Sequence, residues 1–345
     1  MLQSGINTRW RRRSKVKISL IIPVFNRPEE TRELLQSLSL QTDQEFEVII
    51  VEDGSTLSSE PVVENYRDHL NISYFFKENS GPGPSRNFGC EKASGSYVIF
   101  LDSDCVLPEG YIQIVRENLE KNYTDAFGGP DQAHKDFTNF QKAINFSMTS
   151  FLTTGGIRGG NEKMEKFHPR SFNMGLSKEV FDHTGGFSTM RFGEDVDLSI
   201  RLLEKGFTTQ LIRDAYVYHK RRTNLRLFFK QVYNSGIARI NLRLRHPGTL
   251  KLVHALPALF TLGVILLLLL SILVSIFFTV PILVHMLLLF LGAALKNKSL
   301  IIGLLAVLTS YTQFFAYGFG FLNALWRRLI LGRDEFSAFN RNFYK

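Results

Sequence analysis

Two long stretches without Asp, Glu, Lys or Arg constrain this chain most. They run from Leu252 to Leu295, 44 residues, and from Ser299 to Trp326, 28 residues. An α-helix rises about 1.5 Å per residue and the hydrocarbon core of a bilayer is about 30 Å thick. The first stretch therefore has roughly the length of two crossings. Because its segment LFTLGVILLLLLSILVSIFF is apolar on every side of a helix, the pattern favours membrane insertion over a buried helix of a soluble protein.

The first stretch predicts a helical hairpin that turns near Thr279, Val280 and Pro281, where proline interrupts a helix. Residues 252–326 are thus predicted to hold two or three transmembrane helices. The cations between Lys220 and Lys251 place that side in the cytoplasm. A third full crossing would carry Arg327, Arg328 and Arg333 outside, against the same rule. A re-entrant or interfacial segment therefore remains an open alternative.

Charge is distributed unevenly along the chain. Residues 1–214 hold 25 Lys+Arg against 30 Asp+Glu, whereas residues 215–345 hold 16 against 2. A basic flank beside apolar spans indicates contact with anionic lipid headgroups and not with nucleic acid. The N-terminus lacks the apolar run of a secretory signal, so export of the first domain is not expected. Cys90 and Cys105 are expected to be buried, reduced thiols.

The first 214 residues alternate short apolar runs with helical patterns, which is typical of an α/β fold with a mainly parallel sheet. The runs KISLIIPVFN, FEVIIVEDGS and SYVIFLDSD predict strands that end in polar residues. PEETRELLQSLSLQ predicts a helix with acidic residues in its first turn. In open α/β sheets ligands bind at the carboxyl ends of the strands, so we expect the site there.

Three of these strand-end segments carry candidate chemistry. Asp53 can accept hydrogens of a nucleotide, although Asp-Gly is also an ordinary turn. The segment from Gly81 to Gly89 has no GK[ST] of a P-loop; Arg86 can contact a diphosphate there, or the segment is simply a loop that enters a helix with Ser85 as its cap. Asp102 and Asp104, after a hydrophobic strand, form an oxygen site suited to Mg²⁺ or Mn²⁺.

A fourth segment, GEDVDLSIRLLEKG, places Glu194 and Asp195 at the start of a predicted helix. Carboxylates there are usually caps or partners of the helix dipole. A site that transfers a group to a hydroxyl also needs a base for the hydroxyl proton, and a carboxylate fixed at a helix start can serve as one.

In this order and spacing the motifs resemble those of family 2 glycosyltransferases with the GT-A fold. IIPVFNR resembles the opening strand of that family, VEDGS its nucleoside-binding turn, PSRNFG its donor-side helix start and LDSDC its metal-binding DxD. NMGLSKEVFDHTGGF followed by GEDVDLSIRL resembles its acceptor region, which includes Asn173, and its catalytic ED motif. The resemblance covers about residues 18–240 and implies an α/β, Rossmann-like nucleotide-sugar-binding fold followed by a C-terminal α-helical transmembrane region.

The resemblance also implies a role for individual residues. Pro23 and Asn26 would shape the nucleoside pocket, and Asp53 would read the base. Arg86 and Asp102 would lie at the donor, and Asn173 on the acceptor side. Asp104 would bind the metal, with His219 as a second ligand, although a structural or headgroup-facing histidine is an equally open interpretation. Asp195 would be the base, with Glu194 beside it.

Two features depart from the family pattern. Phe25 stands where the family usually has Tyr before Asn, which removes a hydroxyl. The QxxRW motif of processive polysaccharide synthases is absent from RRTNLRLFFKQVYNSGIAR, which argues against a chain-extruding synthase. In the same stretch Leu225, Phe228, Phe229 and Val232 are spaced for a helix that either lies on the membrane or packs against the catalytic domain.

Together these observations predict an inverting glycosyltransferase that needs Mn²⁺ or Mg²⁺, uses a UDP- or GDP-sugar and acts on a lipid-linked saccharide or polyprenyl phosphate acceptor. It would be a multi-pass protein of the plasma (inner) membrane with a cytoplasmic catalytic domain, working in cell-surface polysaccharide or glycolipid synthesis. A catalytically silent scaffold is the alternative; a transporter is disfavoured because the spans carry no charge. The predicted division is a basic N-terminal tail (1–17), a catalytic domain (18–218), basic amphipathic interfacial helices (219–251), transmembrane helices (252–326) and a basic C-terminal tail (327–345).

Overall fold

The computed structural model describes residues 15–132, 137–154 and 167–339. Most of the predicted N-terminal tail and the last residues of the predicted C-terminal tail lie outside these ranges. The chain forms two compact units. The first comprises Met1–Asp131, Phe167–Phe187 and Arg201–Val217, and the second comprises Gln132–Lys166, Ser188–Ile200 and Tyr218–Lys345.

Ten strands are described, numbered in chain order. They are β1 (Ile18–Val24), β2 (Phe46–Asp53), β3 (Ile72–Lys77), β4 (Tyr97–Leu101), β5 (Cys105–Val106), β6 (Ala126–Gly128), β7 (Asp131–Gln132), β8 (Asn173–Ser177), β9 (Thr209–Leu211) and β10 (Val217–His219). Seven of them form a sheet in the order β3-β2-β1-β4-β8-β6-β9, and β5, β10 and β7 form a second, small sheet.

Twelve α-helices are described. They are α1 (Pro28–Ser39), α2 (Glu60–Glu64), α3 (Pro82–Lys92), α4 (Tyr111–Lys121), α5 (Asn139–Thr149), α6 (Phe151–Thr154), α7 (Lys178–Thr184), α8 (Glu194–Glu204), α9 (Leu225–Arg245), α10 (Leu256–Leu273), α11 (Val280–Asn297) and α12 (Leu300–Ala324). The first helix and the three strands predicted from apolar runs lie where the sequence places them.

The large sheet confirms the predicted mainly parallel α/β architecture. Strands β3, β2, β1 and β4 are mutually parallel neighbours, and only β8 is antiparallel to its neighbours β4 and β6. Strands β1, β2 and β4 are almost entirely buried apolar runs, as expected where helices cover both faces of a parallel sheet, whereas the edge strand β3 is partly exposed. Since β1, β2 and β4 are parallel, their carboxyl ends meet at one edge, where the polar residues after each strand follow.

The second unit is built around α12. This helix packs most extensively against α9, and it also contacts α5, α10 and α11. Gly236 of α9 and Gly320 of α12 allow very close approach: a Cβ at Gly320 would lie 2.1 Å from the carbonyl oxygen of Tyr233, and one at Gly236 would lie 2.3 Å from that of Tyr317. The two helices therefore meet backbone to backbone, which side chains larger than hydrogen would prevent.

Three helical segments are long and apolar enough to cross a membrane: Leu256–Leu273, Ile276–Asn297 and Leu300–Ile330. The predicted turn lies slightly earlier than expected. Helix α10 ends at Leu273, a short 3₁₀ turn covers Ile276–Thr279, and Pro281 stands in the first turn of α11. Proline is tolerated there because the first amides of a helix have no intrahelical acceptor.

Part of the apolar side of α9 is buried inside the protein. Phe228 and Val232 pack in one buried cluster with Ile144 of α5 and Ala316 of α12. Of the two interpretations left open by the sequence, protein packing therefore describes these two residues, and their partners are helices of the second unit. The membrane-surface role predicted for residues 219–251 remains an expectation for the exposed cations of this helix.

The C-terminal segment follows α9 closely. The side-chain amide of Asn234 donates to the carbonyl of Ala338 at 3.0 Å and accepts from its N–H at 2.8 Å. Farther along the same helix, Asn241 Nδ2 donates to the carbonyl of Phe336 at 3.0 Å. This part of the predicted C-terminal tail is therefore fastened to α9 through its backbone.

The two compact units each combine segments from different parts of the chain, and the predicted linear division remains a prediction. One change of unit falls at Val217 and Tyr218, next to the expected end of the catalytic domain at 218. However, helices α5 and α6 and the start of α8, which lie within 18–218, pack with the C-terminal helices. Periodicity along the chain does not reveal this, because it shows where helices form but not which neighbours they find.

Candidate active site

The DxD carboxylates stand at the carboxyl end of β4, each beside an arginine. Arg86 Nη2 lies 2.7 Å from Asp102 Oδ1, and Arg27 Nη1 donates to Asp104 Oδ2. The Arg86 side chain is only 3% exposed, so α3 holds its guanidinium in place. Charge-assisted contacts of this kind fix both partners in geometry. The structure thus brings Arg86 and Asp102 into direct contact, and their placement at the donor remains a prediction.

Arg27 is a site residue that the sequence analysis did not assign. It follows Asn26 in IIPVFNR and immediately precedes α1. A cation between the end of a buried strand and the first helix of a parallel sheet is the signal that could have identified it, because that position faces the ligand edge. Its pairing with Asp104 brings β1 and β4 together at that edge.

Asp53, predicted to read the base, is the centre of a fixed loop. Lys77 Nζ lies 2.7 Å from Asp53 Oδ1, and the amides of Ser80 and Gly81 donate to the carboxylate at 2.9 Å each. Asn79 Nδ2 also donates to the Asp53 carbonyl at 2.7 Å. The Asp53 side chain thus fixes the loop that leads into α3. Its contact with the base of a nucleotide remains a prediction.

Glu52, the other acid of VEDGS, is fully buried and structural. It accepts from the Ser59 amide at 2.7 Å, from the Tyr74 hydroxyl at 3.2 Å and from the Ser55 hydroxyl. Burial raises the pKa of Tyr74 to about 12, with the Glu52 charge adding to the rise. The pair therefore keeps the phenol protonated and the turn closed.

Asn26 and Pro23 shape the neighbouring strand end. Asn26 has φ of 53°, a left-handed conformation that asparagine tolerates better than most residues. Its Oδ1 accepts from the amides of Thr56 and Leu57 at 2.8 and 2.9 Å. Pro23 lies opposite Val51 near the end of β1. Asn26 therefore holds the turn after β2, which is the framework around the predicted nucleoside pocket.

The segment from Gly81 enters a helix, as one of the two interpretations requires. Helix α3 begins at Pro82 with Gly81 before it, so Ser85 is not the cap. Ser85 lies inside the first turn, where its hydroxyl donates to the Gly81 carbonyl at 2.9 Å. The N-terminal amides of this helix follow directly on the loop that Asp53 fixes, an arrangement suited to an anionic group.

Asn173, predicted on the acceptor side, is fully buried at the start of β8. The Tyr111 hydroxyl donates to its Oδ1 at 2.6 Å, and its Nδ2 donates to the Ala215 carbonyl at 2.8 Å. Both ends of the amide thus hold the sheet, which gives Asn173 a framework role. Its acceptor contact remains a prediction.

Asp104, Cys105 and His219 form a group of side chains that could hold a metal ion. Burial raises the pKa of the Cys105 thiol well above its usual value. A protonated thiol is a poor ligand, whereas carboxylate oxygen and neutral imidazole suit Mn²⁺ and related ions. Carboxylate and imidazole therefore suit the predicted ion by their chemistry, and the roles of Asp104 and His219 as metal ligands remain predictions.

The ED motif lies in the second unit, where Glu194 and Asp195 open α8 as predicted. Both side chains are buried, at 7% and 6% exposure. Asp195 Oδ1 accepts from the Val196 amide at 2.8 Å. One turn of the same helix carries Asp197, whose Oδ1 lies 2.9 Å from Nε2 of His246. The motif is therefore held by both its own helix and the residue after α9.

The parallel sheet, the DxD at a strand end and the ED helix start define a GT-A-like nucleotide-sugar transferase. The model of the family described as Glycosyl transferase family 2 matches residues 19–192, half of the chain. This chain belongs to that family.

Among similar proteins, an uncharacterized glycosyltransferase of Haemophilus influenzae is 31% identical over 221 residues, covering 60% of this chain and 70% of that protein. A GalNAc(5)-diNAcBac-PP-undecaprenol beta-1,3-glucosyltransferase of Campylobacter jejuni is 33% identical over 115 residues, covering 32% of this chain and 37% of that one. An uncharacterized glycosyltransferase of Rickettsia bellii is 39% identical over 106 residues, 31% of this chain, and the match spans only 15% of its length.

Among solved structures, the mannosyltransferase PcManGT from Pyrobaculum calidifontis, in complex with GDP-Man and Mn²⁺, has a TM-score of 0.64. It is 16% identical in sequence, and the match covers 92% of this chain and 89% of that one. The likeness confirms the fold predicted from the sequence.

Proposed function

We propose that this protein is an inverting, metal-dependent glycosyltransferase that moves a sugar from a UDP- or GDP-sugar to a membrane-associated acceptor. The acceptor is a lipid-linked saccharide or a polyprenyl phosphate, and the product serves cell-surface polysaccharide or glycolipid synthesis. The observation that carries the proposal is the DxD at the end of β4, where Asp102 and Asp104 each pair with an arginine.

This arrangement suits a nucleoside diphosphate bound with a cation. The diphosphate and the DxD carboxylates are all anionic, so they approach one another only with positive charge between them. Arg27 and Arg86 form ion pairs with these carboxylates, and Lys77 forms an ion pair with Asp53. We infer that these cations exchange part of their carboxylate contacts for phosphate contacts when the donor binds.

In the proposed reaction Asp104 and His219 hold Mn²⁺ or Mg²⁺, and Asp102 contacts the ribose or the sugar. The metal would supply positive charge to the leaving diphosphate. Asp53, with Pro23 and Asn26 around it, holds the nucleoside. Asp195 accepts the proton of the acceptor hydroxyl as the sugar is attacked, and Glu194 supports it.

The membrane-associated acceptor is supported by the three apolar helices and by the undecaprenol-linked acceptor in the name of the Campylobacter relative. In the proposed placement, the helices make this a multi-pass protein of the plasma (inner) membrane. The catalytic domain is then cytoplasmic, because the cations of residues 220–251 favour the cytoplasmic side of the membrane. Anionic lipid headgroups and the nucleotide-sugar are then its partners, and nucleic acid is not.

The test is a screen of UDP- and GDP-sugars with purified full-length protein, undecaprenyl phosphate or undecaprenyl-linked saccharides, and Mn²⁺ or Mg²⁺. Acceptor-dependent release of UDP or GDP, with a labelled lipid product, is the expected result. Tight nucleotide binding without release from any donor would favour the catalytically silent scaffold. Extraction of the full-length protein from membranes by carbonate or high salt alone would contradict the membrane placement.

A further inference from the structure

Helices α5 and α6 lie beside the candidate spans, although their sequence does not resemble a membrane segment. Half of residues 139–154 are Asn, Gln, Ser or Thr, and only Lys142 is charged. None of the three segments long and apolar enough to cross a membrane includes them. By hydropathy alone they belong with the soluble part of the chain.

Their contacts contradict that assignment. Phe146 and Ala143 of α5 are buried in one cluster with Leu289 and Ala293 of α11 and with Ile302 and Ala306 of α12. Ile144 packs farther along α12, in the cluster that holds Ala316. Helix α5 thus runs along α12 over residues 302–316. Ile302 lies near the start of the apolar segment Leu300–Ile330 and Ala316 lies near its middle, so a bilayer crossed by α12 reaches the part of α5 that packs at Ala306 and Ala316.

Gly292 of α11 is the point of closest approach. A Cβ at this position would lie 3.4 Å from Phe146 and 3.8 Å from Leu152 of α6. Because Gly292 has no side chain of its own, both residues rest on the surface of α11. Helix α6 therefore packs against the same candidate span, α11, as α5 does.

The polar contacts that join α5 to α12 are those expected at a membrane-buried interface. The Ser147 and Thr309 hydroxyls lie 2.6 Å apart, and Thr309 Oγ1 also donates to the Ala143 carbonyl at 3.2 Å. Arg221 Nη2 donates to Asn145 Oδ1 at 2.9 Å. Ser and Thr pairs of this kind join helices where water is absent.

The local polar contacts follow the same rule. Thr149 Oγ1 donates to the Asn145 carbonyl at 2.7 Å. The hydroxyls of Thr153 and Thr154 both donate to the Ser150 carbonyl, at 2.9 and 3.0 Å. Internal hydrogen bonds remove the main cost of placing polar groups in hydrocarbon. Lys142 is half-buried, and its long side chain can extend to a polar boundary.

One apolar surface of this element is left uncovered. Phe151 is 77% exposed and Leu152 39% exposed, and the neighbouring helix α11 exposes Leu287, Leu288 and Leu291. An exposed aromatic side chain continuous with an apolar span indicates contact with a membrane. Lipid acyl chains are the partner whose chemistry matches the exposed apolar side chains of both α6 and α11.

We propose that α5 and α6 form a fourth membrane-embedded element, in which Phe151 contacts lipid hydrocarbon. The inference rests on the membrane placement proposed above for α10 to α12. It means that residues 139–154 are anchored in the bilayer, in addition to the C-terminal helices.

Tryptophan fluorescence in vesicles of phosphatidylcholine with brominated acyl chains tests this directly. The full-length protein with Trp10→Phe and Trp326→Phe is the parent, and Phe151→Trp is the test variant. Leu287→Trp, 54% exposed on α11, reports on a candidate span, and Phe76→Trp, 59% exposed on β3, reports on a water-facing position. We expect at least a twofold loss of emission for Phe151→Trp and Leu287→Trp relative to non-brominated vesicles, and none for Phe76→Trp.

Quenching of Leu287→Trp but not of Phe151→Trp would overturn the inference and leave the membrane placement intact. Absence of quenching in both would overturn the membrane placement and this inference together. If Phe151→Trp does not fold, Leu152→Trp on the same helix gives the same readout. Neither variant touches the residues proposed for catalysis, so the result does not depend on activity.

Discussion

His246 Nε2 lies 2.9 Å from Asp197 Oδ1, and this contact ties the residue after α9 to the first turn of α8. Both side chains are buried, so the hydrogen bond is shielded from water. Because Asp197 belongs to the same helical turn as Glu194 and Asp195, the contact fixes the orientation of the ED motif. An anchored helix start is what a positioned base requires.

Replacing His246 by Ala should therefore lower turnover as well as stability. We expect a loss of about 1–3 kcal/mol of unfolding free energy because the buried Asp197 carboxylate loses its hydrogen bond to His246. We also expect roughly tenfold or greater loss in kcat with little change in donor Kd, since small displacements of catalytic groups are costly. The exposed neighbour Arg243→Ala is the control. Unchanged turnover per folded molecule would restrict His246 to a structural role.

Asp195→Asn keeps the shape and hydrogen-bonding capacity of the side chain but removes its basicity. If Asp195 is the base, transfer should slow by about 10² to 10⁴ while donor and metal binding stay nearly intact. The measurement compares turnover with nucleotide affinity for Asp195→Asn and Glu194→Gln. A severe defect only in Glu194→Gln would reverse the two roles, and normal turnover in both would exclude the ED motif from catalysis.

Arg27→Ala should weaken donor binding more than it weakens folding. The Arg27 guanidinium is the cation on Asp104, and a charge-assisted hydrogen bond contributes about 1.5–3 kcal/mol. We expect donor Kd to rise by roughly tenfold or more, measured by titration with the UDP- or GDP-sugar. Arg32→Ala, whose side chain pairs with Glu29 on the exposed face of α1, is the matched control. Equal affinities in the two variants would remove Arg27 from the donor site.

Metal removal gives a separate prediction about the same edge of the sheet. After stripping with EDTA, transfer should be abolished, and Mn²⁺ or Mg²⁺ should restore it, because Asp104 and His219 are oxygen and nitrogen ligands suited to these ions. Asp104→Asn should lose the response to added metal. Full activity of the stripped enzyme would show that the DxD acts without a cation.

The two cysteines should be inert in the folded protein. Burial raises the pKa of Cys90 to about 12 and that of Cys105 well above its usual value. At pH 8 only about one Cys90 thiol in ten thousand is then the reactive thiolate, and burial blocks access as well. Labelling with a thiol reagent should be negligible before denaturation and complete for both afterwards. Rapid labelling of either thiol in the native state would contradict the described packing.

The strand ends could be predicted from the sequence because each is marked locally. Apolar runs of parallel strands followed by Asp53 or Asp102 identify both the sheet and its ligand edge. The same local signals find the start of α8 at Glu194, where three acids occupy the first turn. For these elements, chain-local patterning and tertiary structure agree.

The partners of the polar side chains could not be predicted in this way. Nothing in the spacing of Arg27 and Asp104, or of Asp197 and His246, shows that they meet, because both contacts depend on how distant elements pack. The packing partners of α5 could not be predicted for a related reason. Its polar groups make it look soluble, whereas hydrogen bonds to α12 and Arg221 satisfy them inside the second unit.

The backbone contact between α9 and α12 at Gly236 and Gly320 has a consequence for biosynthesis. Helix α12 is synthesised after α5 and α9, yet it is the main neighbour of α9 and also packs on α5. Until α12 is synthesised, α5 and α9 therefore expose the apolar surface that α12 covers in the folded protein. This exposure favours misfolding and aggregation of the nascent chain, and it ends when α12 packs against α9 at Gly236 and Gly320.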